Sequence, residues 1–508
     1  METAKEQIRL TITNGVQSKP LVMQASKCTI AQLLKEGKNK FRKKFQYVAY
    51  GAQAVQTEAD LLMVLENREG PLTLLLTNTE PKGSDGPLVV AKKARGISYI
   101  VANEDSIESD AEAQLKLASE LDGCVFAIGM PDLHPGKGIP IGAVVMTQEK
   151  IAYPQLVDND IGCGMSFIET TLAQDKLNIN KLQKLASSLE SIDCPYASPE
   201  EQMEMCSKKL AWGPNKTTLE PLPPLPDRYH YDNLGTIGGG NHFAELQQFD
   251  EIFDAKGIEQ YGIDTKKVHL LVHSGSRSLG AFYLRDFCDK AMKESTDHQS
   301  GHYGVATDSQ LFHEYHANHE IALNYAARNR QLIARRLLEQ ITPGITQQQE
   351  EEPSEPSFNC RIDIFHNYME KLEVPSIDAM SKIAAQGQFP KSIAPALNDS
   401  SEEAVAGWIH RKGATPTNQS KVLVIPGSRG ALSYLVEVNE GAAHGSGYSL
   451  AHGAGRCMNR SKALAKHKNQ YPNARQLLQT TWEVLSFVTR KIWCMKRHRL
   501  PTRTLMEL

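Results

Sequence analysis

Seven short strings carry the residues able to do chemistry, each setting Asp, His, Cys, Asn, Ser or Arg among glycines and turn formers. In ValAspAsnAspIleGlyCysGlyMet (157–165), Asp160 and Cys163 stand three residues apart in a glycine-bracketed turn. A carboxylate and a thiolate at that spacing can hold one metal ion, and a thiolate sulfur has lone pairs enough to bridge two. A lone cysteine is more often a small buried hydrophobe, but the loop setting beside Asp160 favours a ligand. Three glycines precede Asn241 and His242, with Glu245 just beyond. Such a run frees backbone N–H groups to face an anion. The strand-like ValHisLeuLeuValHis (268–273) ends at His273 and runs into SerGlySerArg, which supplies Arg277; that suits metal and phosphate contacts. His269, inside that run, reads as structural. His366 and Asn367 follow the alternating ArgIleAspIlePhe (361–365).

Two further strings read as anion cradles. Pro426, Gly427, Ser428 and Arg429 form a turn between two strand-like runs, with Ser433 in the second half. His452 heads HisGlyAlaGlyArg (452–456), a string with the look of a helix start, in which Arg456 and Arg460 would share a face. A histidine there can act as a nucleophile toward phosphorus, with arginines neutralising developing charge. Asp132 and His134 lie in a turn-rich string after a strand-like CysValPheAlaIle (124–128). His313, His316 and His319 are spaced by three on a helical stretch. The zinc-protease string needs a spacing of four, so a metalloprotease is not expected. No GxxxxGK[ST] string occurs, so a P-loop nucleotidase is unsupported.

Composition bounds the rest. The chain has 508 residues, 41% of them hydrophobic, enough for more than one domain. Its 56 Lys+Arg against 59 Asp+Glu leave a net charge of −3, which excludes a histone-like polyanion coat; nucleic-acid contact would need a local basic surface. No apolar run approaches the roughly 18–20 residues of a membrane span, and the first residues lack an apolar signal core. Nine cysteines without a CxxC pair fit a reducing, intracellular compartment, cytoplasmic or nuclear.

The positioning elements divide by character. Residues 1–80 alternate as strand, strand, helix, strand, helix-turn, strand, the pattern of a ubiquitin-like β-grasp module, with a doublecortin-type module close to it. It carries no catalytic string and reads as a docking or solubility module, the docking case implying a protein partner. A linker rich in turn formers covers 81–95, and 96–480 forms the catalytic domain, interrupted by a disordered insertion near 343–357. ProLeuProProLeuPro (221–226) reads as a rigid polyproline-II loop.

Taken in order, AspLeuHisProGlyLysGly, AspIleGlyCysGly, GlyGlyGlyAsnHisPhe, HisSerGlySerArg, PheHisAsn, ProGlySerArgGly and HisGlyAlaGlyArg resemble the RtcB family of RNA-splicing ligases, across about Ile97 to Arg460. The resemblance implies an α+β fold with mixed β-sheets around a central metal and nucleotide cleft. It implies a GTP- and manganese-dependent ligase for splicing, tRNA processing and repair. Such a ligase joins RNA ends bearing a 2′,3′-cyclic phosphate or 3′-phosphate to 5′-hydroxyl ends. One Mn2+ would take Asp160, Cys163 and His242; a second would take Cys163, His273 and His366. His452 would be guanylylated. Asn241, His242, Glu245, His366, Asn367, the 426–429 loop, Ser433, and Gly453, Ala454 and Gly455 beside His452 would hold the guanylate. Arg277, Arg456 and Arg460 would face phosphates, and Asp132 would be an acidic residue among the phosphate and RNA contacts. A Cys/His/Asp set does not separate manganese from zinc, so manganese rests on the resemblance. Two other readings use the same residues: a catalytically impaired scaffold that binds RNA ends, and a dinuclear metal cyclic phosphodiesterase.

The likeness stops near Thr480. From Arg460 to the end, eleven Lys/Arg face two Asp/Glu, and 481–508 forms an atypical basic tail, the mark expected of an altered reading frame or alternative exon.

Overall fold

A computed structural model describes residues 7–14, 18–24, 27–50, 53–66, 72–78, 97–99, 107–176, 192, 194–195, 198–214, 217–294, 302–341, 359–374, 405–428, 431–438 and 446–455. The expected linker, the 343–357 insertion, the tail, and Arg429, Arg456 and Arg460 lie outside the described residues. The chain falls into two compact units, Met1–Ala94 and Arg95–Leu508.

The first unit is a five-stranded sheet with the spatial order Ser18–Gln24, Gln7–Thr13, Leu72–Thr77, Tyr47–Tyr50, Gln53–Ala54. The two outer pairings are antiparallel, while Gln7–Thr13 and Leu72–Thr77 run parallel at the centre, the arrangement of a β-grasp. Alternate apolar residues, among them Leu10, Ile12, Leu74 and Leu76, face the helix Ile30–Phe41 and bury Leu33. Thr29 caps that helix, its hydroxyl accepting from Gln32 N at 3.1 Å. A Cβ on Gly37 would run into Leu76, so only glycine lets the helix sit this close.

The larger unit has the expected α+β class, built on two sheets. One is antiparallel, ordered Phe243–Gln247, Lys267–Ser274, Gly164–Ala173, Asn359–Phe365. The other is ordered Asn367–Val374, Val405–Lys412, Ile141–Gln148, Cys124–His134, Ile97–Tyr99, mixed because its last strand runs parallel to its neighbour. The chain passes from the first sheet to the second between Phe365 and Asn367, so His366 sits at the crossover. The helix Gln310–Ile341 runs through the core, burying Tyr315, Ala322, Tyr325, Ile333 and Leu338. It also carries the three-spaced histidines. His319 accepts from Met369 N at 3.2 Å and His316 stacks on Phe312, which is packing rather than metal chemistry. His269 is likewise structural, stacked on Phe167 at 4.7 Å.

Candidate active site

Register builds the site. In the antiparallel sheet Met165 pairs with both His273 and Ile364, and Phe243 pairs with His273. Cys163, His242, His273 and His366 therefore fall at or just beyond the same end of four adjacent strands. Two backbone bonds lock this end: His366 N to Cys163 O at 2.8 Å and Cys163 N to Asp160 O at 3.0 Å. Gly162 takes φ 74 in that turn, where a Cβ would press on Ala326.

The four side chains converge and are buried. Cys163 Sγ lies 3.3 Å from His242 Nε2 and 3.2 Å from His273 Nε2. His273 Nε2 lies 3.2 Å from His366 Nε2, and Asp160 Oδ2 lies 2.8 Å from His242 Nε2. His242 Nδ1 faces the carbonyl of Ile237 at 3.0 Å, and His273 Nδ1 faces the carbonyl of Asn241 at 3.1 Å. A carbonyl only accepts, so each Nδ1 carries a proton and each Nε2 faces inward, that of His242 toward the Asp160 carboxylate. Two imidazole nitrogens, a sulfur and a carboxylate oxygen, all pointing at one another, are a donor set that fits a metal cation once the inward protons are released. Among the described residues Asp160 Oδ1 and His366 Nδ1 are buried without a hydrogen-bond partner, further capacity of the same kind.

Charge runs the same way. Burial alone would raise Asp160, but His242 and Arg277 hold its carboxyl below the usual value. Burial and then the Asp160 carboxylate push the Cys163 thiol well up. Burial and the neighbouring His452 push His366 well below the ordinary imidazole, keeping it neutral.

The second half of the site is His452, which ends the strand Ser449–Ala451 instead of opening a helix among the described residues. Its ring packs on His366 with centroids 4.7 Å apart. Its Nδ1 lies 2.6 Å from Asp132 Oδ2. Asp132 is thus buried, its Oδ2 against the histidine. Glycines make that approach, since a Cβ on Gly142 (φ 81) would strike Asp132 and one on Gly413 (φ 64) would strike His452.

The anion cradles assemble alongside. Ala454 N donates to Pro426 O at 3.1 Å, joining the 452–455 and 426–433 loops. Ser433 Oγ accepts from Gly427 N and from Gln247 Nε2, each at 3.2 Å, and Gln247 also donates to Glu245 at 2.7 Å. Ser428 O receives Ala431 N at 2.8 Å, closing the loop. Arg277 takes φ 58, and a Cβ on Gly238 would strike its guanidinium, so it lies against the glycine run. Asn241 is exposed, apart from its carbonyl's role behind His273. Asn367 is already engaged: its Nδ2 donates to Asp160 O at 3.3 Å and its Oδ1 accepts from Gly413 N at 2.7 Å. It ties the metal-fitting turn to the His452 side.

Several supports were not legible in the sequence. Arg330, fully buried, donates to Gly162 O at 2.9 Å and Ser274 O at 3.1 Å, and forks onto Asp363 at 2.8 and 2.9 Å. Asn329 Nδ2 donates to Ser274 Oγ and Gly275 O, each at 3.1 Å. Lys412, buried beside Gly413, pairs with Asp158 at 2.9 Å. An arginine-rich helical stretch normally signals a solvated face, so nothing in their spacing marks these side chains as buried.

A family model described as tRNA-splicing ligase RtcB matches residues 114–486. The chain belongs to the RtcB family. It is 35% identical over 386 residues to the RNA-splicing ligase RtcB2 of Escherichia coli, covering 75% of this chain and 82% of that protein. It is 27% identical to the tRNA-splicing ligase RtcB of Methanococcus maripaludis (71% of this chain, 79% of that protein). With the RNA-splicing ligase RtcB of Escherichia coli K12 it is again 27% identical, over 70% and 80% of the two chains. The matched stretch contains every part of the RtcB site described above. Among the described residues no helix is long and apolar enough to cross a membrane.

Proposed function

We propose that this protein is an RNA ligase that uses GTP and manganese to join 2′,3′-cyclic phosphate or 3′-phosphate ends to 5′-hydroxyl ends through a guanylylated His452, inside the cell. The observation that carries this reading is the Asp132–His452 pair packed against His366 of the Cys/His cluster. A carboxylate accepts but does not donate, so the proton of His452 sits on Nδ1 and the lone pair on Nε2 is left for attack. Nε2 forms an N–P bond at the α-phosphorus of GTP and pyrophosphate leaves. Water opens any 2′,3′-cyclic phosphate to a 3′-phosphate, and the phosphoramidate N–P bond then breaks as GMP passes to that RNA 3′-phosphate, freeing His452. The incoming 5′-hydroxyl displaces GMP as the new ester bond forms.

Asp160, Cys163 and His242 would hold one manganese ion, and Cys163, His273 and His366 a second. Bound there, the metals would screen triphosphate charge and lower the pKa of a coordinated hydroxyl. The chain supplies the rest. Ser428, the backbone of the 426–428 and 453–455 loops, Glu245, Ser433 and Asn241 are the groups we assign to the guanylate, and Arg277 to phosphate. Asn367 acts on both halves by fixing the turn at Asp160 relative to Gly413.

Incubation with α-labelled GTP and Mn2+ should leave acid-labile label on the protein, and His452→Ala should abolish both label and RNA joining. Cys163→Ala should remove the chemistry too; unchanged turnover would sink the shared-thiolate assignment. Opening of a cyclic phosphate without label or joining would identify a phosphodiesterase instead. RNA-end binding with neither activity would identify a scaffold.

A further inference from the structure

The N-terminal unit contributes nothing to the proposed chemistry, yet it concentrates positive charge. Lys35, Lys38, Lys40, Arg42, Lys43 and Lys44 fill six of the ten positions from 35 to 44, with Glu36 the single acid. All six side chains are exposed. Among the described residues no carboxylate pairs with any of them, and Glu36 accepts from Gln32 at 3.0 Å. Two other acids of the unit are used elsewhere: Glu58 accepts from Ile30 N at the opposite end of the helix, and Asp60 accepts from Gln56 N and Thr57 N.

Part of this has a bland explanation. Lys38 and Lys40 lie in the last turn of Ile30–Phe41, where cations complement the partial negative charge of the helix end. That accounts for one or two cations, not six. Lys35 and Lys38 are three apart and Lys38 and Arg42 four apart, so they repel across one face. Arg42 is the C-cap at φ 54, and it turns the chain so that Lys43 and Lys44 extend the same charge beyond the helix. Among the described residues no acid relieves this self-repulsion; a polyanion would relieve it.

We propose that this patch binds the phosphate backbone of single-stranded RNA and so holds the substrate strand independently of its ends. The inference rests on the RNA-joining reading, which supplies the polyanion. A membrane surface fits less well. The helix spends its apolar side on its own core, with Leu33 buried and Ile30, Leu34, Phe41 and Phe45 packed against the cluster, so the element carrying the charge has no apolar side left to insert beside it.

The test uses full-length protein and fluorescent oligouridine with 5′-phosphate and 3′-hydroxyl ends, which the proposed chemistry does not join. Binding is measured against KCl for wild type, for Lys38→Gln/Lys40→Gln/Lys43→Gln/Lys44→Gln, and for the same four positions changed to Arg. Each lost phosphate contact lowers the log–log salt slope by about 0.7 on a single strand, so the Gln variant should lose about 2–3 in slope and roughly tenfold or more in affinity. The Arg variant should bind as wild type. Equal binding and slope in the Gln variant, or equal loss in the Arg variant, overturns the proposal. So does a Gln variant that keeps RNA binding while losing phosphatidylserine vesicles. Labelling by α-labelled GTP should be the same in all three proteins. Its absence from every one would count against the ligase reading alone, leaving the salt slopes to decide the patch.

Discussion

A single imidazole is useful as a nucleophile only in one tautomer, and Asp132 decides which. The 2.6 Å contact between Asp132 Oδ2 and His452 Nδ1 directs the proton away from Nε2, the nitrogen we propose as the nucleophile. Asp132→Asn keeps the shape but can present its amide N–H to Nδ1, which forces the proton onto Nε2. Guanylylation of the variant should fall by about 10²–10⁴, as for the wrong tautomer in a hydrolase triad. Single-turnover labelling with α-labelled GTP checks this; a rate within a factor of a few of wild type would mean that Asp132 does not orient the ring. The pairing joins residues 320 positions apart. The sequence reads Asp132 in a turn and His452 in a glycine-rich loop; Asp132 instead lies inside the strand Cys124–His134, and the two side chains meet. What it could not supply is that they touch. Local spacing reports which residues end strands, not which strand ends meet.

The helix Gln310–Ile341 shows the same limit for a whole element. Its three-spaced histidines announce helical period, but Arg328 and Arg330 are fully buried, their guanidinium groups spent on backbone carbonyls and Asp363. Arg328 donates to the carbonyls of Met205, Lys208 and Glu220 at 2.8–2.9 Å, closing off the chain around the short helix Pro199–Ser207. Arg330 reaches behind the Cys/His cluster, holding the turn at Gly162 and the end of Lys267–Ser274 while its guanidinium lies 5.1 Å from the Phe365 ring centre. The strand ends carrying Cys163, His273 and His366 are thus referenced to one buried cation. Arg330→Met would leave the buried Asp363 carboxylate with Ser166 Oγ but without its cation, would take the guanidinium donor from two carbonyls, and should destabilise the larger unit by about 3–5 kcal/mol. Adding Asp363→Leu removes the orphaned carboxylate and should restore part of that loss. Urea denaturation of the four proteins of the cycle measures both effects. A double variant whose loss is simply the sum of the Arg330→Met and Asp363→Leu losses would show that the Arg330–Asp363 pair is not coupled.

At the scale of the molecule, the two sheets were legible as strand-like runs with glycine-rich ends, and their class followed from that. Their order was not, because neighbours such as Gly164–Ala173 and Lys267–Ser274 are brought together by hydrophobic burial across a long stretch of chain. Burial on that scale also leaves neutral histidines inside. His410, in the strand Val405–Lys412, accepts from Tyr153 N at Nε2 (3.0 Å), and its Nδ1 faces the Val145 carbonyl at 3.2 Å. Its inward nitrogen must stay unprotonated for the Tyr153 bond to exist, and burial lowers it to about 4. His269 is lowered by burial to about 4 as well. Both folded values lie below the ordinary 6.5 of the unfolded chain, so the unfolded state binds protons first as pH falls. Their contribution is whole above about 6.5 and is lost progressively from there down through about 4, at up to roughly 1.4 kcal/mol per pH unit for each group. His410→Gln offers Tyr153 N a neutral acceptor that does not titrate. Its urea midpoint should therefore fall less than that of wild type between pH 7 and pH 5, even if its stability at pH 7 is lower. Parallel loss in the two proteins over that window would show that His410 is protonated without cost, and that the core around Tyr153 and Val145 tolerates the charge.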